Sequence, residues 1–195
     1  MSSCGMDKLS GKNERILSAA EDTFVRYGFA RTTMGDIAKA AGISRPALYL
    51  IFPDKEAIFT RVIEMMDARS LDRIQKEVDQ LASVDQKLLH ACAVWGLHGM
   101  ELAQAYPDAA DLFDLRFSAV RQVYERFQQL LVQILQKGTQ TWELPISQEE
   151  FAETLTYGLR GLRYAAIDVD DMRRLIEVHV TVYGLSLREM EGARR

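Results

Sequence analysis

The chain has 195 residues, of which 48% are hydrophobic and 27% are charged, a composition typical of a packed globular protein rather than a disordered one. Its formal net charge of −4 argues against a protein that coats nucleic acid through a general positive field. No apolar run reaches the roughly 18 residues of a membrane span, and the N-terminus lacks the apolar core of a secretory signal. The two cysteines are too few for a disulfide framework. We therefore expect a cytoplasmic protein with no membrane partner.

Apolar residues recur at spacings of three and four along nearly the whole chain, which is the period of an α-helix, and sustained alternation of period two is absent. The sequence therefore predicts an all-α fold. The first helix carries an apolar stripe that includes Ile16, Ala20 and Phe24, and it ends at Gly28, because glycine readily takes the left-handed conformation that stops a helix.

Two very short helices follow. Thr33 with Asp36 three residues later matches the capping-box pattern, so the second helix begins there. Gly42 ends it, and Ser44 with Pro46 close behind marks the start of the third helix. Two short helices joined at a glycine predict a helix-turn-helix.

The third predicted helix turns Leu48 and Phe52 toward the core and leaves Arg45, Pro46 and Tyr49 on the opposite side. A helix of this size enters the DNA major groove, where an arginine binds guanine bidentately.

The Tyr49 hydroxyl and the Lys55 ammonium are suited to phosphates, and so are the amides at the helix starts after Thr33 and Ser44. The alternative interpretation is an ordinary helical hairpin of a bundle, which explains the glycine and the caps but not the outward arginine and tyrosine.

The remaining chain predicts longer helices. Asp54 begins a long amphipathic one, and Asp85 begins one that is apolar almost all round and so is expected to be buried. A short helix from Pro107 to about Phe113 precedes a long one that ends at Gly138. The last two helices begin at a capping box formed by Ser147 and Glu150 and at Asp168 to Asp171.

Several side chains on these helices are expected to surround a cavity, because apolar walls with a few polar groups are typical of a ligand site. The candidate ligand-binding residues are Trp95, His98, Met100, Phe113, Phe117, Tyr124 and Tyr157. Arg116 or Arg121 offers a charge for an anionic effector, or else is a solvated surface residue. Plain core packing is the alternative for the whole set.

The last two predicted helices have faces of small or apolar residues, which either complete a four-helix interface with a symmetry mate or pack inside a monomer. These faces contain Gly158, Gly161 and Ala165 on one helix and Leu175, Ile176, His179 and Tyr183 on the other.

Catalytic and metal-binding patterns are missing from the sequence. His90 and Cys92 are two residues apart and point in different directions on a helix, whereas His90 and His98 share a face but have no third ligand nearby. No protease, hydrolase or phosphate-loop motif occurs. The sequence therefore predicts no catalytic residue, no metal and no cofactor, and Cys92 is interpreted as a small buried hydrophobe.

Residues Arg15 to Phe59 resemble the TetR family of transcriptional regulators. The stretch ILSAAEDTFVRYGFARTTMGDIAKAAGISRPALYLIFPDKEAIF follows the family pattern "aa..lF...Gf..tT...IA..aGvs...lY..F..Ke.l" nearly position by position. The sequence departs from it at Ile51, where the family commonly has His or Tyr, and at Pro53, where a polar or basic residue is frequent.

The resemblance implies a homodimer whose recognition helices read a pseudo-palindromic operator of double-stranded DNA. It also implies a small-molecule effector in the C-terminal domain that moves the connecting helix and releases the DNA. The family touches DNA at positions that here are Thr33, Ser44, Arg45, Pro46 and Tyr49, with a phosphate contact at Lys55.

Together these inferences predict a helix-turn-helix DNA-binding domain over residues 1–60 and a helical ligand-binding and dimerisation domain over residues 61–195. The predicted function is that of a ligand-released transcriptional repressor and not of an enzyme. A small-molecule-binding helical protein without operator binding is the alternative, and a helical enzyme is a third reading that lacks a catalytic constellation.

Overall fold

The computed structural model describes residues 3–139 and 141–192, with side chains described for residues 11–139 and 141–187. In this part of the chain the regular structure is helical throughout, which confirms the predicted all-α fold. The α-helices are α1 (Ser3–Arg31), α2 (Met34–Ala40), α3 (Arg45–Tyr49), α4 (Lys55–Val78), α5 (Val84–Ala105), α6 (Ser118–Gly138), α7 (Gln148–Ala165) and α8 (Val169–Gly192), and a 3₁₀ helix spans Pro107–Phe113. Within the described ranges the structure contains no candidate transmembrane helix.

The chain divides into two compact units. The N-terminal unit comprises Met1–Asp67 and Ala105–Arg121, and the C-terminal unit comprises Ala68–Gln104 and Gln122–Arg195. Residues of α4 therefore belong to both units.

The core of the N-terminal unit is built from the apolar faces of α1 to α4. Phe24 and Phe59 are fully buried, and their rings meet edge to face with centroids 5.2 Å apart. Phe29 and Phe117 extend this cluster, since each has its ring centroid within 4.9 Å of the Phe59 ring. Aromatic pairs of this geometry stabilise a fold by about 0.5–1.5 kcal/mol beyond the burial of their area.

The sequence predicts that the first helix ends at Gly28, and the structure instead has a non-helical Gly28 inside α1, which continues to Arg31. The Gly28 φ of 74° lies in the left-handed region, and a Cβ at this position would overlap the backbone carbonyl oxygen of Asp108. The buried hydroxyl of Thr32 donates to the Gly28 carbonyl over 2.7 Å, which satisfies one of the acceptors that a helix end leaves open.

The turn between α2 and α3 is a Schellman motif centred on Gly42. The Gly42 amide donates to the Lys39 carbonyl over 3.2 Å, and the Ile43 amide donates to the Ala38 carbonyl over 3.0 Å. Gly42 has a φ of 69°, a conformation that costs other residues roughly 1–2 kcal/mol. The glycine therefore sets the angle at which α3 leaves α2.

The core of the C-terminal unit is formed by α5 to α8 with the end of α4. Cys92 is fully buried there, and burial raises the pKa of its thiol, so its interpretation as a buried hydrophobe is confirmed. The capping box of Ser147 and Glu150 is present at the start of α7, and Asp168 accepts from the Asp171 amide over 2.8 Å at the start of α8.

Candidate nucleic-acid interface

The side chains of α3 separate into a buried and an exposed face. Leu48 and Phe52 lie in the core of the N-terminal unit, whereas Arg45, Pro46 and Tyr49 are exposed, as the sequence predicts. Ser44 caps the helix, because its hydroxyl accepts from the amide of residue 47 over 3.3 Å. The exposed surface is therefore presented by a helix whose direction is fixed at both ends.

Arg45 and Tyr49 form one row on this exposed surface. A guanidinium N–H of Arg45 donates to the Tyr49 hydroxyl over 3.3 Å, and the guanidinium carbon lies 5.6 Å from the ring centroid. Because a guanidinium carries five N–H donors, this bond is compatible with a bidentate contact to guanine. The tyrosine thus orients the arginine that the sequence identifies as a base-reading candidate.

Thr33 is exposed but its polar groups are occupied. Its amide and its hydroxyl both donate to a carboxylate oxygen of Asp36, over 2.9 and 2.6 Å, and the hydroxyl oxygen accepts from the Asp36 amide. This pairing holds the pKa of Asp36 below its usual value. A phosphate at this helix start would therefore meet the neighbouring backbone amides rather than the Thr33 hydroxyl.

Lys55 has a structural role that sequence reasoning missed. Its ammonium donates to the carbonyls of Phe29 and Thr32 over 2.6 and 2.8 Å, and it lies 4.1 Å from the Phe29 ring centroid. An ammonium has three N–H donors, and these two carbonyls take two of them. The phosphate contact of Lys55 stays a prediction, and it requires the third donor.

Leu50 is a second residue that the sequence analysis did not identify. Its side chain is 88% exposed, although it directly follows α3. The signal available in the sequence was its position two residues from both Leu48 and Phe52, which on a helix is the side opposite the core.

The structure brings together three of the seven candidate ligand-binding residues. The Trp95 and Tyr124 rings meet edge to face at 5.2 Å, and the Tyr124 and Tyr157 rings stack at 5.9 Å. Trp95 also stacks on Phe127 with centroids 4.4 Å apart. These residues belong to the C-terminal unit.

The other four candidates make no described ring contact with this aromatic group. Met100 is buried in the C-terminal core and His98 is exposed on α5. Phe113 and Phe117 belong to the N-terminal unit, where Phe117 packs on Phe29 at 4.9 Å.

Arg116 and Arg121 are held by local partners. Arg116 pairs with Asp114 over 2.6 Å, and Arg121 donates to the carbonyls of Leu115 and Arg116.

The faces predicted for dimerisation are partly buried within the C-terminal unit. Ile176 is fully buried, and His179 lies against Gly158 with its Nε2 3.3 Å from the Leu155 carbonyl. Among the α8 side chains that the structure describes, which end at residue 187, the apolar ones more than half exposed are Val178, Val182 and Leu185.

No group of three potential metal ligands occurs among the residues whose placement is described. His90 instead pairs with Glu77 over 2.7 Å, and this hydrogen bond together with Arg73 holds the pKa of Glu77 below its usual value.

Comparison with known proteins shows that the chain is similar to transcriptional regulators. A profile described as "Bacterial regulatory proteins, tetR family" matches residues 16–62. The HTH-type transcriptional regulator RutR of Escherichia coli (strain K12) is 32% identical over 114 residues, which are 57% of this chain and 50% of RutR. The chain thus spans about half the length of the curated relatives it matches.

Two solved structures share the fold over most of the chain. A transcriptional regulator from Cytophaga hutchinsonii ATCC 33406 is 28% identical with a TM-score of 0.68, and the match covers 92% of this chain and 98% of that one. FadR from Bacillus subtilis in complex with stearoyl-CoA has a TM-score of 0.68 at 16% identity, covering 87% and 96% of the two chains, a likeness that shows the fold alone.

Proposed function

The chain belongs to the TetR family of bacterial regulatory proteins through residues 16–62, and on that basis we propose that it is a homodimeric transcriptional repressor released from its operator by a small molecule. The observation that carries this proposal is the presentation of α3, which is capped at Ser44, joined to α2 at Gly42 and exposes Arg45 and Tyr49. We assign DNA binding to residues 1–60 and ligand binding and dimerisation to residues 61–195. Such a regulator acts in the cytoplasm.

DNA recognition divides between base and backbone contacts. Arg45 reads a guanine in the major groove, and Pro46 and Tyr49 line the same exposed surface. The amides at the start of α2, the Arg45 amide and the third donor of Lys55 hold phosphates, which position the helix without reading sequence; Pro46 has no N–H, and the Ala47 amide is already bonded to Ser44.

Dimerisation follows from the operator geometry and from the exposed surface of α8. Two recognition helices are needed to read two half-sites that lie one or more helical turns apart. Val178, Val182 and Leu185 recur at spacings of four and three, and each is more than half exposed, so they form the stripe that a second copy covers.

Ligand binding is supported by the aromatic group of the C-terminal unit. Tyr124 is 3% exposed, and its hydroxyl has no hydrogen-bond partner among the described residues. A buried hydroxyl without a partner is costly, and a bound effector near Trp95 and Tyr157 would supply that partner. The similarly folded FadR holds stearoyl-CoA, and α4, with residues in both units, is the route by which binding acts on DNA affinity.

A helical ligand-binding protein without operator binding is the second candidate. It is favoured by Ile51 and Pro53, which replace residues that commonly offer a polar group near the phosphates. The apolar side chain of Ile51 is half-buried and that of Pro53 is exposed.

The test is selection of random duplexes by the purified protein, followed by anisotropy titration of the selected duplex at two salt concentrations. A palindromic duplex that Arg45→Ala no longer prefers, with a loss of about 1–3 kcal/mol in specific binding, supports the proposal. Lys137→Ala removes an exposed charge from the end of α6 and is the matched control. Absence of enrichment by folded protein free of bound ligand favours the second candidate.

A further inference from the structure

Leu50 has the largest exposed fraction of the bulky apolar side chains in the described part of the chain, at 88%. Its backbone is helical, with φ −70° and ψ −18°, and its amide donates to the Pro46 carbonyl over 3.2 Å. The direction of the side chain is therefore set by the same hydrogen bonds that end α3. An exposed leucine on a mobile loop would carry no such constraint.

The helical positions place Leu50 on the side of α3 that faces away from the core. Successive residues of a helix are separated by about 100°, so Leu50 lies opposite the direction shared by Leu48 and Phe52. Pro46, four residues earlier, shares its face and is also exposed. Next to the polar row of Arg45 and Tyr49, α3 thus presents an apolar row.

The length of α3 allows this apolar row to reach base pairs. The helix has five residues and is about 7.5 Å long at 1.5 Å per residue, which is less than the roughly 12 Å width of the major groove. If such a helix lies in the groove, residues at both of its ends are within the width of the groove. The apolar group that base pairs display there is the 5-methyl group of thymine.

We infer that Leu50 packs against the 5-methyl group of a thymine in each operator half-site and thereby selects an A·T pair at that position. The inference rests on the DNA binding proposed above. A protein partner is a poorer fit, since a stable interface buries about 800 Å² per side, whereas this row comprises two side chains flanked by a guanidinium.

The test replaces each thymine of the selected duplex by deoxyuridine, which removes the methyl group and keeps the base pairing. Wild-type protein is expected to lose about fourfold in affinity per half-site at one symmetric pair of thymines, because burying one methyl group contributes about 0.8 kcal/mol. Leu50→Ala is expected to bind the methylated and unmethylated duplexes equally, while Leu50→Met keeps the discrimination.

Two controls separate this contact from other causes. Ile167→Ala truncates a side chain of similar exposure, 85%, in the C-terminal unit and should leave the discrimination at its wild-type value. Arg45→Ala should weaken binding at guanine while still sensing the thymine methyl. Circular dichroism melting verifies that the variants are folded.

The outcomes distinguish the two proposals. Failure of folded wild-type protein to enrich any duplex overturns DNA binding through α3 and this inference with it. Enrichment followed by equal binding to every deoxyuridine duplex, or by the same loss in wild type and Leu50→Ala, overturns the inference alone and leaves the repressor proposal standing.

Discussion

The ammonium of Lys55 lies over the ring of Phe29 and donates to the carbonyl of the same residue, with 4.1 Å to the ring centroid and 2.6 Å to the oxygen. A second bond of 2.8 Å reaches the Thr32 carbonyl. Lys55, the first residue of α4, thereby binds both ends of the segment from Phe29 to Thr32, which follows Gly28. A single cation satisfies two open carbonyls at once, which ties the start of α4 to the end of α1.

Lys55→Met keeps the aliphatic stem and removes these bonds. We expect the free energy of unfolding to fall by about 1.5–3 kcal/mol, because hydrogen bonds to a charged group are lost and two carbonyls are left unpaired. Urea denaturation measures this change.

The same variant tests the predicted phosphate contact. At urea concentrations too low to unfold the variant, Lys55→Met should reduce the magnitude of the slope of log affinity against log salt concentration by about one. Lys137→Met removes a lysine from the exposed end of α6 and should alter neither quantity. A stability loss with an unchanged salt slope would show that Lys55 is structural only.

Gly158 is required by the position of His179. A Cβ at residue 158 would overlap the imidazole ring, so Gly158→Ala is expected to displace the ring, break the bond to the Leu155 carbonyl and destabilise the fold by about 1 kcal/mol. Gly161→Ala is the matched control on the same helix, since nothing lies within 4 Å of a Cβ there. That variant should be as stable as wild type or up to about 1 kcal/mol more so.

His179 also predicts how stability depends on pH. Burial holds its pKa below the ordinary value, against the opposing effect of the bond to Leu155. As pH falls through about 6.5, the unfolded chain takes up a proton that the folded chain does not, so stability present at pH 8 is lost toward pH 5.5. His179→Gln should lose less stability over this range than wild type, and equal losses in thermal melts would contradict the assignment.

Local features of this fold were predictable from sequence, whereas contacts between distant residues were not. The caps at Thr33, Ser44 and Ser147 and the turn at Gly42 depend on residues at most five apart, and the structure contains each of them. The partnership of Lys55 with Phe29 spans 26 residues and leaves no periodic signal.

The same reason explains the division of the candidate ligand-binding residues. Phe117 fits an apolar helix face as well as Tyr124 does, and only packing shows that it joins the aromatic cluster of the N-terminal unit. Exposure is likewise a tertiary property, which is why Val182 rather than Ile176 remains available on α8.

Val182→Glu tests the proposed dimer. A carboxylate in an apolar interface carries a desolvation cost without a partner, so we expect the dimer dissociation constant to rise by at least about tenfold. Gln136→Glu adds the same negative charge at an exposed position of α6, away from the stripe, and should leave the mass unchanged. Sedimentation at micromolar concentration measures both variants, and a monomeric wild type would refute the dimer.

Tyr124→Phe tests whether the buried hydroxyl is kept for a ligand. In the ligand-free protein this hydroxyl is buried without a partner among the described residues, so its removal should raise the free energy of unfolding by about 1 kcal/mol. Tyr164→Phe, at a side chain that is 70% exposed, should change stability little. An effector that releases the operator duplex should bind Tyr124→Phe more weakly than wild type, because the variant lacks the hydroxyl that would pair with it. Higher stability with lower ligand affinity is the combination expected of a binding residue, whereas lower stability would mean that the hydroxyl already serves the fold.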